Sequence, residues 1–111
     1  MRDRIVAKAC NLVEGSEHTL ITVSELCLKL GVPIRTLDEA FQACLGIAPK
    51  QFIMRVRLNN VRRCLSRHPS DRLTITDAAS RYGFFHFGHF GSQYRRLFGE
   101  TPSLTLSRAR S

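Results

Sequence analysis

The sequence predicts an all-α fold, and three observations predict it. Apolar residues recur at helical spacing through most of the chain, no stretch alternates apolar and polar residues as a half-buried strand does, and capping residues and glycines punctuate the apolar stripes. The 111 residues are 43% hydrophobic, enough for the modest core of one compact domain and too few for a second full one.

Ile5, Ala9, Leu12 and Val13 mark a first helix, which Gly15 and the polar Ser16-Glu17-His18 segment bring to an end. Thr22 then caps a short second helix, with Glu25 completing a capping box. Val23, Leu26, Cys27 and Leu30 form its buried face, and Gly31-Val32-Pro33 is the turn. A third helix runs from Ile34 to Leu45 with Ile34, Leu37, Phe41, Cys44 and Leu45 facing the core, and Gly46 stops it. Pro49, suited to a first turn, opens a longer helix to about Arg67. It buries Phe52, Ile53, Val56, Leu58, Val61 and Leu65 and carries Arg55, Arg62, Arg63 and Arg67 on its other face. His68-Pro69-Ser70-Asp71 is the following loop. Thr74 caps a fifth helix, with Asp77 at the capping-box position and Ile75, Ala78, Ala79 and Tyr82 inward. After Gly83-Phe84, a sixth helix from about His86 to Phe98 has Phe87, Phe90, Tyr94, Leu97 and Phe98 as its apolar set. Gly99 ends it, and Pro102 to Arg108 adds a last short helix.

The two halves overlay. Thr22, Val23, Gly31 and Val32 match Thr74, Ile75, Gly83 and Phe84 at an offset of 52; beyond the turn the offset is 53, pairing Leu37, Phe41, Leu45, Gly46 and Pro49 with Phe90, Tyr94, Phe98, Gly99 and Pro102. One residue has been added in the second turn. Each copy is a capped short helix, a glycine-centred turn and a longer helix with a strong inner face, the layout of a helix-turn-helix. The first spans residues 22–45, the linking helix 49–67 and the second 74–98, within one domain over 1–111. Two such units reach successive major grooves of one duplex if they stand roughly 34 Å apart.

Charge supports an anionic partner. The chain carries 17 Lys and Arg against nine Asp and Glu, a formal net charge of +8. Fourteen of the 17 are arginines, which pair bidentately with phosphate and with guanine edges. Residues 1–46 hold five basic and six acidic side chains, residues 47–111 twelve and three, so the electrostatic footprint lies in the second half. Cys10, Cys27, Cys44 and Cys64 lie 17, 17 and 20 residues apart with no C-x-x-C pair and no secretory leader before them. They read as reduced core thiols of a cytosolic protein, without a metal or redox role.

The second half carries Ile75-x-Asp77-Ala78-Ala79, Tyr82-Gly83-Phe84, Phe90, Tyr94, Arg95-Arg96-x-Phe98-Gly99 and Thr101-Pro102-Ser103, which resembles the signature of the AraC/XylS family of transcription regulators. A weaker match in the first half runs through Val23-x-x-Leu26, Gly31-Val32, Arg35-Thr36-Leu37, Phe41 and Leu45-Gly46-x-x-Pro49. The resemblance covers nearly the whole chain. It implies a seven-helix module that binds double-stranded promoter DNA and usually activates transcription through contacts with RNA polymerase. It also implies, as in most relatives, a separate ligand-sensing or dimerising domain in the same chain.

Side-chain chemistry then suggests the contacts. In the second unit, His86, Phe87, Gly88, His89, Ser92 and Gln93 fall at exposed N-terminal positions of the sixth helix. His89 and Ser92 suit base edges, and Phe87 suits a thymine methyl if it does not turn into the core. Arg95 and Arg96 suit phosphate, as do His86, Gln93 and the capping hydroxyls of Thr22 and Thr74. Gly88 and Gly91 leave room for close approach and weaken the helix by ~1 kcal/mol each relative to Ala. His86 and His89 have metal-like spacing, but no third or fourth ligand supports them, and no cofactor is expected. In the first unit, Arg35, Thr36, Asp38 and Glu39 fall at the recognition positions; the two acids repel phosphate and accept only from cytosine or adenine amino groups. Pro33 replaces the hydroxyl residue that commonly caps this helix in the family. Arg35 is therefore expected to contact DNA, with the unit otherwise reading few bases, bracing the second unit or meeting a protein.

Other classes fit less well. No catalytic set of Ser, His and acid, no paired carboxylates and no phosphate-binding glycine loop is recognisable, so no enzyme is expected. The deep, narrow major groove of A-form RNA excludes a helix, and no helix has the wide apolar stripe with flanking lysines of a membrane-surface element. The rival reading is a helical protein-interaction module that has lost or weakened DNA binding.

Overall fold

The computed structural model describes residues 1–16, 20–67 and 73–111. Glu17 and His18 of the expected break, and the expected loop His68-Pro69-Ser70-Asp71, lie outside the described residues. Among the described residues there are seven helices and no strand: α1 (Arg2–Glu14), α2 (Val23–Leu30), α3 (Ile34–Leu45), α4 (Pro49–Arg67), α5 (Ile75–Arg81), α6 (Phe87–Phe98) and α7 (Pro102–Arg110). The chain divides within α4 into two compact units, Met1–Val56 and Arg57–Ser111.

In the first unit α1 packs against α2 and α3. Thr22 Oγ1 accepts the Glu25 N–H at 3.1 Å, satisfying one of the amides a helix start leaves open. Gly31 ends α2 at φ 67°, a left-handed conformation that a Cβ would strain. Pro33 precedes α3 without any side-chain cap, as its chemistry requires. The core gathers Val6, Ala9, Val13, Leu26, Leu37, Ala40, Phe41 and Ile53, and the Phe41 and Phe52 rings lie 5.7 Å apart. Burying a side chain such as Phe41 contributes about 1.5–3 kcal/mol relative to leaving it in water.

Periodicity located the buried faces but not their ends. On α1 the fully buried stripe is Val6, Ala9 and Val13, with Ile5 and Leu12 only half-buried beside it. On α3 it is Leu37, Ala40 and Phe41, whereas Ile34, Cys44 and Leu45 are exposed, contrary to expectation. These three stand in the terminal turns, where the apolar stripe continues past the elements that cover it. All four cysteines are free; Cys64 is buried, Cys10 and Cys27 are half-buried, and Cys44 is not a core thiol.

The second unit repeats the first. Thr74 Oγ1 accepts the Asp77 N–H at 3.0 Å, and α5, α6 and α7 pack on one another. Val32 N–H donates to Cys27 O at 3.1 Å, and at the matching place Phe84 N–H donates to Ala79 O at 3.0 Å. Rings line the interior in series, with Phe84–Phe90, Phe90–Tyr94 and Tyr94–Phe98 centroids 5.1, 5.7 and 4.6 Å apart. Leu97, expected inside, is exposed on the last turn of α6. Thr101 caps α7, which runs to Arg110, two residues past the expected end.

One carboxylate ties this unit together. Glu100, between α6 and α7, accepts from Arg62 of α4 and Arg108 of α7 at 3.4 Å each, and from the Thr105 hydroxyl at 2.8 Å. Tyr94 and Thr105 hydroxyls are 2.7 Å apart, so with Thr105 donating to Glu100, Tyr94 donates to Thr105. Arg62 also lies 4.7 Å over the Phe98 ring, so it is engaged within the unit rather than standing free on the outer face of α4.

Candidate nucleic-acid interface

Helical geometry decides which side of α6 is available. Phe90 and Tyr94 are buried; at 100° per residue the opposite side falls on Gly88, Ser92 and Arg96, flanked by His89 and Arg95. All five are exposed. A Cβ built on Gly88 or Gly91 meets nothing within 4 Å, so no neighbour inside the described chain requires glycine at either place. Ser92 Oγ donates to Gly88 O at 3.2 Å, which leaves its oxygen as an acceptor for an outside group. Among the described residues Arg95 and Arg96 pair with no carboxylate. Their place in the last turn also complements the helix dipole, so charge alone does not make them contacts.

His86 precedes α6 without a side-chain cap bond, its ring 6.3 Å from that of His89 and edge-on to it. Phe87 points outward, 43% exposed, which removes it from the expected inner set. Gln93, expected outside, is half-buried. The repeat explains why: Gln93 overlays Ala40, which is buried in α3. Thr36 is likewise half-buried, because its side of α3 adjoins Ala40. Thr22 and Thr74 are exposed, with their hydroxyl oxygens committed to the amides they cap.

The outer stripe of α3 has different chemistry at the same register. Arg35, Glu39 and Gln42 stand where α6 has Gly88, Ser92 and Arg95, and Asp38 is exposed beside them. Arg35 Nε donates to Glu39 Oε1 at 3.2 Å, with side chains 89% and 54% exposed. The stripe is thus self-neutralised where that of α6 is cationic.

One residue escaped the sequence reading. The overlay is 52 through Phe84 and 53 from His86, the residue before α6, so Phe85 is the added residue of the second turn. It is 65% exposed, next to the start of α6. The change of offset was the signal that could have located it.

Burial raises the Cys10 and Cys27 thiols, and a hydrogen bond to Asp3 raises that of Cys44. Raised thiols stay protonated at neutral pH, the opposite of a metal-binding or nucleophilic cysteine. Among the described residues, no cluster of three His, Cys, Asp or Glu side chains can hold a metal ion, and no helix is long and apolar enough to cross a membrane.

Two helix-turn-helix units, the second with an exposed helix face whose Arg95 and Arg96 pair with no described carboxylate, are the architecture of a helix-turn-helix domain. The helix-turn-helix domain family matches residues 26–108. A solved structure of a probable AraC family transcriptional regulator from Rhodopseudomonas palustris is 37% identical, covers 97% of this chain and 99% of its own, and superposes with a TM-score of 0.89. The probable thc operon regulatory protein of Rhodococcus erythropolis is 32% identical over 102 residues, 92% of this chain and 31% of that protein. The XylDLEGF operon transcriptional activator 2 of Pseudomonas putida is 34% identical over 100 residues, 90% of this chain and 64% of that protein. The chain therefore spans about one third to two thirds of the length of these relatives. It belongs to the AraC family and is a DNA-binding domain of a transcription regulator, not an enzyme.

Proposed function

We propose that this domain reads double-stranded promoter DNA sequence-specifically and that α6 is its principal reading element. The observation that carries this is the outer stripe of α6: two arginines toward its end that pair with no carboxylate among the described residues, and glycine backbone beside His89 and Ser92 toward its start. His89, Phe87 and the Ser92 oxygen address base edges, the last as an acceptor from an adenine or cytosine amino group. Arg95 and Arg96 hold phosphates, with His86, Gln93 and the Thr22 and Thr74 segments in supporting positions. In the first unit Arg35 is the main contact, with Thr36, Asp38 and Glu39 around it. Residues 22–45 and 74–98 act as two helix-turn-helix units on the helix 49–67, addressing successive major grooves of one duplex as a single module over 1–111.

The regulator works in the cytoplasm as an activator that engages RNA polymerase, alongside a sensing or dimerising domain of the same protein. Activation is supported by the Pseudomonas putida relative's description as a transcriptional activator, and a further domain by the greater length of both relatives. The test is binding to promoter fragments and to random duplexes across a salt series. Affinity should fall steeply with salt and differ between the two sets. Arg95→Ala should weaken binding to all duplexes alike, and His89→Ala should change the preferred sequence. Equal affinity for every duplex offered overturns the proposal.

A further inference from the structure

The Arg35–Glu39 pair sits on the face that α3 shares, in register, with the reading face of α6, and it is built against local preference. Arg35 lies in the first turn of α3, where the helix dipole disfavours a cation, and that turn contains no acid. The order Arg then Glu along the helix is also the weaker orientation for an i,i+4 pair. An exposed pair of this kind adds little stability, so stability does not account for it.

The contact is made through one atom. Nε–H of Arg35 is held by Glu39 Oε1, and among the described residues nothing else pairs with the guanidinium. The Nη1 and Nη2 groups are thereby left as a planar pair of donors with no partner among the described residues, while the Nε contact holds the guanidinium to one side. Guanine presents O6 and N7 as two adjacent acceptors in the major groove, and no other base presents that pair. We infer that Arg35 reads a guanine in the first half of the site and that Glu39 is the positioning residue that aims it, so that the acid serves specificity rather than only repelling phosphate. The two units then differ in kind: Gly88 and Ser92 replace this pair in α6, which has nothing at those positions to read a guanine end-on.

This inference rests on the proposed reading of promoter DNA, and the experiment separates the two. The full chain and its Arg35→Gln, Glu39→Gln and Glu39→Ala variants, each checked for unchanged helix content and melting temperature, are used to select from a library of randomised duplexes. The wild type should enrich guanine at one position that Arg35→Gln leaves unselected, a loss of about tenfold in preference. Glu39→Ala should lose most of that preference, while Glu39→Gln, which keeps the acceptor without the charge, should retain it. If both Glu39 variants bind every duplex more tightly with the guanine preference intact, Glu39 only repels and the inference fails. If Arg35→Gln leaves the selected sequences unchanged while His89→Ala alters them, the first unit reads no guanine and the proposed function stands. If the wild type itself enriches no sequence, both fall.

Discussion

At the scale of single residues, the side chains with the clearest physical roles are those that satisfy the backbone. Thr22 and Thr74 each hold one amide at a helix start, and replacing either with Ala should lower unfolding free energy by ~1 kcal/mol, read from urea titration. A loss much below that would mean that water caps the helix equally well. Cys44 shows how one hydrogen bond outweighs exposure. Its thiol donates to Asp3 Oδ1 at 3.1 Å, and that bond raises its pKa, so alkylation at mildly alkaline pH should be slower than for a free thiol. Asp3→Asn should accelerate it, and an unchanged rate would place the thiol outside that contact. Both caps were legible in the sequence, because a cap is a local pattern. The Asp3–Cys44 bond was not, because its partners lie 41 residues apart.

At the scale of elements, α6 combines a weak helix former with a strict inner face. Gly88→Ala and Gly91→Ala should each stabilise the helix by up to ~1 kcal/mol, since the added methyl meets no neighbour. If the bare backbone serves close approach to DNA, the same variants bind more weakly although they melt higher; a parallel rise in stability and affinity would show that the glycines serve no contact. The inner face is fixed by Tyr94, whose phenol burial pushes above its usual value of 10.0. As pH rises, the unfolded chain ionises first, so this contribution is complete below about pH 10 and is lost as pH climbs through the folded value. Tyr94→Phe should flatten the alkaline fall in melting temperature while giving up the bond to Thr105, about 1 kcal/mol. An alkaline fall as steep as wild type would assign the effect to other groups. Phe85, exposed beside this helix, should be replaceable by Ala with little change in melting temperature but with weaker duplex binding.

At the scale of the whole molecule, charge divides between the units. Residues Arg57–Ser111 carry ten basic and three acidic side chains, Met1–Val56 seven and six. Not every arginine is available. Arg62 and Arg108 both neutralise Glu100, whose side chain is only 11% exposed, whereas Arg95 and Arg96 pair with no described carboxylate. Arg95→Ala or Arg96→Ala should therefore reduce the slope of log affinity against log salt by about 1 each. Arg108→Ala should leave that slope unchanged, and an equal drop for all three would mean that the Glu100 pairs open on the duplex.

The sequence by itself determined the all-α class, the seven helices, the repeat and the family likeness, because apolar period, caps and glycines are short-range signals that need no knowledge of what packs where. Tertiary structure alone decided where each apolar stripe stops being covered, which exposed Ile34, Cys44, Leu45, Phe87 and Leu97 and half-buried Thr36 and Gln93. It also decided which cations are spoken for, joining Arg62 and Arg108 to Glu100. The physical reason is that period fixes the direction in which a side chain points. Burial and ion pairing depend on what other segments of chain place opposite it.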